Sequence, residues 1–543
     1  MSQGYQTPYS PVDKPPHQGY QQQGQPPLPH YGQPQQSYQQ NPYQQPAYGQ
    51  PQGHHQHPQQ PQYGQPQHQQ QQPQNYQQQQ PAHNNTNYTN DVVYGQVVDG
   101  KSLYGVSDGA AKKFVVTGYK DVWCAVFFLL VFIGSLVYGF YNLGTDPILK
   151  NSATEIADAP YSANKVFRQT LAAVAVGLVS GAVLSVFGLI FFMLLPTASI
   201  VIANLLMIAY FVGLGIWLIS LESYYGGIVL FLIGGLRLFL FIVYRKYIPF
   251  SAVLLQKSAS FAKEFPGTVV TNFGLVLAMA GFSIIWVCMW FSPVYKLVND
   301  NSQDVGIAVL VMIIALFILF WTSQVSLNIG HVTSSGVVAT WYFCGEGRTP
   351  AAASFYSLKR ALTTSFGSIC FGSLLVAILQ TLKAIARSYS RGFIGCIMVC
   401  ILNCLEGLLR LFNKFAFVYV AMYGYKYTDA GRATFDLASR SAFEALFNNL
   451  LVVTTLAMFG LVNGGVVGVV SYYATKSILV AVVAGIVAML ASAQIYRVVD
   501  SSVTTLFVCL AEEPHLLETT SPSLYQAIAE ANAVIGGDAP NRA

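Results

Sequence analysis

The sequence predicts an all-α polytopic integral membrane protein with about ten transmembrane helices and a disordered N-terminal tail. Three observations predict it. Only 9% of the 543 residues are charged, against roughly 25% in a soluble globular protein, so a water-soluble chain of this length could not cover its surface. Apolar runs of about 20 residues, the length that crosses a bilayer core as a helix, recur between residues 122 and 497. The first hundred residues hold 32 Gln and 16 Pro but one Lys and three Asp, so polarity without charge is confined to one end.

That end comes first in chain order. Residues 1 to about 98 repeat Gln, Pro, Gly, Tyr and His, as in Tyr48-Gly49-Gln50-Pro51-Gln52 and Tyr63-Gly64-Gln65-Pro66-Gln67. Frequent proline blocks helix and sheet ladders, and too few aliphatic residues exist to offset chain entropy. Its eleven tyrosines suit weak self-association or adaptor binding. His54-His55-Gln56-His57 is a histidine-rich stretch without fixed geometry, so no metal site is expected there. Two sequons, at Asn84 and Asn87, matter only on an extracytosolic tail. No charged region followed by an apolar run opens the sequence, so no cleavable signal peptide is expected. The domain reading is a cytosolic tail over 1–112, a ten-helix membrane domain over 113–510 and a short cytosolic tail over 511–543.

Ten spans follow: 122–142, 171–195, 200–221, 226–244, 271–291, 305–327, 364–382, 393–412, 449–471 and 477–497. Within hydrocarbon every backbone N–H and C=O must be paired internally, so these are helices. No alternating ten-residue pattern points to a barrel. Orientation follows from Lys and Arg. With the N-terminus inside, the cytosolic segments hold 20 of the 28 basic residues, which puts both termini in the cytosol. One outer loop disagrees, because Lys383, Arg387 and Arg391 follow span seven. Either the seventh or eighth run is re-entrant, or the loop is short enough to be overruled.

The motifs exclude more than they assign. No G-x-S-x-G elbow, Walker loop or H-E-x-x-H motif occurs, so neither an enzyme nor an ATP-driven pump is expected. No cofactor, metal or nucleic-acid partner is expected either. The eight cysteines form no C-x-x-C pair; Cys396, Cys400 and Cys404 share one helical face, suited to packing or to acylation near an interface. Gly460, Gly464 and Gly468, and Gly177 with Gly181, form small-residue rows that let helices approach. Gly234-Gly235 could pack or interrupt a helix. Asn204, Gln324, Asn328, Gln380, Asn463 and Gln494 read as interhelical hydrogen-bond partners.

Two features point to a bound solute. Glu406 lies at membrane depth with Arg410 at i+4, which allows an ion pair or a counter-charge for a cationic solute. Trp286 and Trp290 share a face of span five, Trp321 ends span six and Trp341-Tyr342-Phe343 follows. Aromatic faces bind quaternary ammonium groups, and they also form interfacial belts. The substrate-binding candidates are therefore Trp286, Trp290, Trp321, Tyr342 and Glu406.

Longer motifs carry a resemblance. Asn413-Lys414-Phe415-Ala416-Phe417-Val418-Tyr419-Val420-Ala421-Met422-Tyr423-Gly424, running on to Ala433-Thr434-Phe435-Asp436-Leu437, resembles the signature of the choline transporter-like family. Val332-Thr333-Ser334-Ser335-Gly336 through Phe343 is similar to that family's stretch after span six. Thr364-Ser365-Phe366-Gly367-Ser368 with Gly372-Ser373-Leu374 is similar to its start of span seven. The similarity covers roughly residues 120–510, and the Gln/Pro/Tyr-rich tail resembles that of the fungal pH-nine-sensitive type. The resemblance implies ten spans, cytosolic termini, plasma-membrane residence and, in animal members, choline or ethanolamine transport. Animal members carry a long Cys-rich outer loop after span one; residues 143–170 here contain no Cys. The leading expectation is thus a plasma-membrane transporter of a small solute, with a choline-like organic cation implied by the family. A membrane scaffold or signalling protein whose tail recruits partners is the alternative, and a membrane-embedded lipid enzyme is third. The bilayer and a small-molecule solute are the expected partners.

Overall fold

Long apolar runs fold as helices because only a helix pairs its own backbone groups away from water. The computed structural model describes residues 118–145, 161–299, 305–389 and 393–536, and every regular element in them is helical. The tail expected over 1–112 with its sequons and histidines, residues 146–160 of the expected outer loop, Arg391 and residues 537–543 lie outside the described residues. In chain order the helices are α1 (Val122–Thr145), α2 (Tyr161–Leu194), α3 (Pro196–Ser220), α4 (Tyr224–Tyr244), α5 (Ile248–Glu264), α6 (Pro266–Asn299), α7 (Val305–Cys344), α8 (Ala353–Leu362), α9 (Phe366–Tyr389), α10 (Phe393–Tyr423), α11 (Tyr427–Thr475), α12 (Ile478–Glu512), α13 (Pro514–Thr520) and α14 (Pro522–Gly536). Proline opens α3 and α13 and sits in the first turn of α5, where its missing N–H would have no helical partner anyway. Ser441 breaks the helical dihedrals inside α11.

Among the described residues ten helices are long and apolar enough to cross a membrane, one for each predicted span. Their ends differ. Spans six, eight and ten run on to Cys344, Tyr423 and Glu512, well past the predicted ends at 327, 412 and 497. Hydropathy falls there because each continuation begins with polar residues, yet all three remain helical and are buried against protein. Arg410 and Arg497, at the last turns of the predicted spans, lie well inside these helices, and Lys414 and Asp500, beyond the predicted ends, lie inside them too. Outside these spans the basic residues number 12 on the predicted cytosolic side against five on the other, so the excess keeps its sign.

The ten spans pack as two sets of five. α2, α3, α4, α11 and α12 form one set, and α1, α6, α7, α9 and α10 the other; α12 against α6 and α7, and α10 against α11, join them. Amphipathic α5 lies across α2, α3 and α12, and α14 covers it. The start of α1, the α7–α8 and α10–α11 junctions and the end of α12 meet on one face. Lys120 N donates to Thr364 O at 3.0 Å, and Asp121 Oδ2 accepts from Ser368 Oγ and Tyr427 N at 2.6 and 2.8 Å. Glu512 accepts from Tyr419 and Arg440, and Lys257 of α5 reaches Glu346 at 2.8 Å. The segments predicted to share the cytosolic side thus do share a side.

α9 leaves that face at Phe366 and runs unbroken to Tyr389, and α10 returns. Neither run is re-entrant. Lys383 lies 17 residues along, about 25 Å at 1.5 Å per residue, toward the opposite face. Its charge is answered within the chain, by Glu406 of α10, which explains why this basic loop need not obey the positive-inside bias.

The glycine rows divide. A Cβ on Gly177 or Gly181 would sit 2.6 Å from the carbonyl oxygen of Ala484 or Ala488, and one on Gly464 2.8 Å from Gly485 O. These positions press α2 and α11 onto α12 at backbone contact. Gly460 has nothing within 4 Å and belongs to no seam. α4 passes through Gly234-Gly235 as continuous helix. Cys396, Cys400 and Cys404, read as a face for packing or for acylation, are exposed on α10.

Candidate functional site

The five residues singled out from sequence do not converge. Trp286 of α6 donates from Nε1 to Ala315 O of α7 at 3.1 Å. The Trp290 ring lies 5.3 Å from Tyr138 of α1, its indole N–H without a hydrogen-bond partner among the described residues. Trp321 is fully buried, donates to Cys370 O at 3.1 Å and is ringed by Phe127, Phe128 and Phe317. Tyr342 donates to Glu513 O at 2.8 Å. Trp321 and Tyr342 are 21 residues apart on one helix, about 31 Å by the helical rise, so one small solute cannot touch both. Glu406 is 6% exposed and accepts from Lys383 through Oε2 and from Arg410 Nε and Nη2 through Oε1, the latter two at 2.9 and 2.7 Å. Two cations already answer this carboxylate.

A polar cavity of about 220 Å³ lies at the junction of the two five-helix sets. Its wall is built from helical stripes. α7 offers Gln324, Asn328 and His331, at i, i+4 and i+7; α10 offers Arg410, Asn413 and Lys414; α12 offers Arg497, Asp500 and Ser501. Residues three and four apart share a helix face, so each helix turns one polar stripe inward. Each stripe falls near the middle of its candidate span, Val309–Cys344, Gly395–Tyr423 and Ile478–Glu512. That places the cavity near the middle of the three helices.

A charge at the centre of a membrane helix costs about 2.5–3.5 kcal/mol on insertion scales, so its partners matter. Lys414 Nζ contacts Asp500 Oδ1 at 2.7 Å and Asn449 Oδ1 at 2.5 Å, tying α10 to α12 and α11. His331 Nε2 lies 2.9 Å from the Lys414 carbonyl, and Nδ1 lies 2.8 Å from Ser501 Oγ. A carbonyl only accepts, so Nε2 carries the proton, and in the neutral ring Nδ1 accepts from the Ser501 hydroxyl. Asn413 donates to Gly372 O at 2.8 Å and accepts from Tyr427 Oη at 2.5 Å. Gln324 reaches Gln380, and Asn328 reaches Ser373, both on α9. Those two and Asn463, which reaches Ser492 and Tyr496, are interhelical as expected; Asn204 and Gln494 bond their own helices at Ile200 O and Leu490 O.

Beyond the cavity, toward the face where the junctions meet, all three helices are sealed. Val332 through Phe343, Phe415 through Met422 and Ser502 through Cys509 are almost entirely buried in the main core. In the other direction lies Arg410, whose side chain is 42% exposed, and then the Glu406–Lys383 pair. The cavity can thus hold a small polar molecule, closed on one side and rimmed by ion pairs on the other.

Comparison with known proteins decides the family. A family model described as plasma-membrane choline transporter matches residues 228–515, a range that contains the whole cavity wall. The chain belongs to the choline transporter-like family. A CTL-like protein of Dictyostelium discoideum is 32% identical over 336 residues, 59% of this chain and 58% of that relative. Protein PNS1 of Debaryomyces hansenii is 28% identical over 455 residues, covering 76% of this chain and 86% of its own. Protein PNS1 of Candida albicans matches at 28% over 450 residues with the same coverage. The pH-nine-sensitive type expected from the sequence is the type these fungal family members carry in their names.

Sequence reasoning missed the cavity because span ends were drawn where polarity began. Lys414, Asp500 and Ser501 then fell beyond the spans, and Arg410 and Arg497 at their last turns. The signal that would have found them is the repeated i, i+3, i+4 spacing of polar residues directly following three apolar runs.

Proposed function

We propose that this family member is a plasma-membrane transporter that carries a choline-like organic cation through the cavity between its two five-helix sets, with both termini cytosolic. The observation that carries this reading is the convergence of three polar stripes, two from one set and one from the other, near the middle of the three helices. Polar groups there are costly and persist where they serve a pathway, and sites at a junction of rigid halves suit alternating access. Rocking the sets apart would part Lys414 from Asp500 and His331 from Ser501, the bonds that now span the junction. Asp500 is the acid facing the cavity, so a cationic solute would compete with Lys414 for it. Glu406, held by two cations, serves as an outer latch between α9 and α10.

The test is radiolabelled choline uptake into proteoliposomes of the purified protein. Uptake above empty vesicles is expected, falling at least tenfold in Asp500→Asn. A folded Asp500→Asn protein with unchanged uptake, or no flux in the wild type, sinks the reading.

A further inference from the structure

The cavity holds an excess of positive charge that the chain does not balance. Arg410, Lys414 and Arg497 face a single acid, Asp500. Lys414 takes Asp500, and Arg410 turns Nε and Nη2 to Glu406. Arg497 has no hydrogen bond or ion pair among the described residues. The charges that act on it are Asp500, which attracts, and Arg410, which repels.

A guanidinium does not shed its proton, and an unpaired one at mid-membrane is costly. Confined water solvates such a charge without neutralising it. The lining includes no Trp, Tyr or Phe, the rings whose faces bind a quaternary ammonium well. The free guanidinium fork of Arg497, by contrast, matches the paired oxygens of a carboxylate or phosphate. The geometry points to an oxyanion-binding subsite in this cavity, with Arg497 as its primary ligand and Arg410 as the second cation. The oxyanion would turn the repulsion between the two arginines into a bridge and leave the Lys414–Asp500 pair intact. The subsite rests on the reading of this cavity as the solute site. A choline-like solute then binds either beside a free oxyanion or as a zwitterion that brings its own acidic group.

The experiment reads equilibrium binding, which needs no flux. Sodium phosphate and sodium acetate are titrated into the full-length protein in detergent, with sodium chloride holding ionic strength constant, and binding is followed by thermal melting and calorimetry. The wild type is expected to gain several degrees of melting temperature at saturating oxyanion. Arg497→Gln should lose that gain while melting, without ligand, no lower than the wild type, because the cation removed had no partner. Arg497→Lys keeps the charge without the fork and should bind about tenfold more weakly, which also covers the case in which Arg497→Gln does not fold. No oxyanion-dependent shift in the wild type overturns the proposal, as does undiminished binding in either variant. Competition separates the two sources. A free oxyanion predicts that choline and phosphate strengthen each other's binding; an acidic group on the solute predicts that phosphocholine displaces phosphate and choline does not. Oxyanion binding without choline flux would count against the transport reading alone.

Discussion

The seam between α2, α11 and α12 and the cavity between α7, α10 and α12 share one helix and are held together by opposite means. In the seam, Gly177, Gly181, Gly464 and Gly485 bring backbones into contact, and dispersion supplies the attraction, as it must where lipid removes any hydrophobic drive between helices. At the cavity, Lys414, Asp500, His331 and Ser501 bridge helices through charge and hydrogen bonds. Close packing of small residues is rigid and has one geometry. A polar bridge can be broken and re-formed when another partner, water or solute, takes its place. α12 thus has one half fastened by glycine and one half by exchangeable bonds, an arrangement suited to a molecule whose two sets move at the cavity and stay rigid within themselves.

The largest expected effect breaks the polar side of this contrast. Removing one partner of a largely buried pair strands the other charge, at a cost of about 3 kcal/mol. Lys414→Met and Asp500→Asn should each lower the melting temperature of the detergent-solubilised protein strongly. The double variant should recover much of the loss, since neither partner of the pair then strands the other. Strictly additive losses would show that Lys414 and Asp500 do not act as a pair.

Next comes the seam. Gly181→Ala places a methyl against Ala488 backbone, which cannot yield as a flexible side chain would; overpacking of this kind costs about 1–3 kcal/mol. Gly460→Ala is the control, because its Cβ meets nothing and Ala is the better helix former by up to about 1 kcal/mol. Equal melting temperatures for the two variants would refute the division of the glycine rows.

The smallest effect tests how the cavity wall is supported from outside the membrane. Burial pushes the Tyr427 hydroxyl up from 10 to about 12, and that hydroxyl donates to Asn413 in the wall. The native state therefore holds this proton more tightly than the unfolded chain. The stabilisation is fully present below pH 10 and is lost as the pH rises from 10 through 12. Tyr427→Phe should flatten that part of the stability curve relative to the wild type. Parallel curves for the two proteins above pH 10 would remove Tyr427 from the account.

Much of the fold was legible because it depends on local chemistry. All ten helices could be placed from apolar run length, since a bilayer accepts only segments that satisfy their own backbone. Glu406 and Arg410 were legible as a pair because i,i+4 spacing alone brings them together. Lys383 reads in the sequence as a loop cation: its partner Glu406 is 23 residues away, and nothing local announces that contact. The aromatic candidates illustrate the converse. Trp286, Trp290, Trp321 and Tyr342 were grouped by residue chemistry, yet each is engaged in a packing or hydrogen-bond contact of its own.

The sequence by itself determined that the chain spans a bilayer, how many times it does so and which junctions share a side, because length, hydropathy and basic residues act segment by segment. Tertiary structure alone decided which polar residues meet. His331 and Ser501 are 170 positions apart, and Lys414 and Asp500 are 86 apart. Their encounter depends on the rotation of each helix about its axis and on the register between helices, quantities set by packing against neighbours. The same is true of Arg497, which reads in the sequence as an ordinary basic residue at the end of the last apolar run and stands in the structure as a cation facing the cavity.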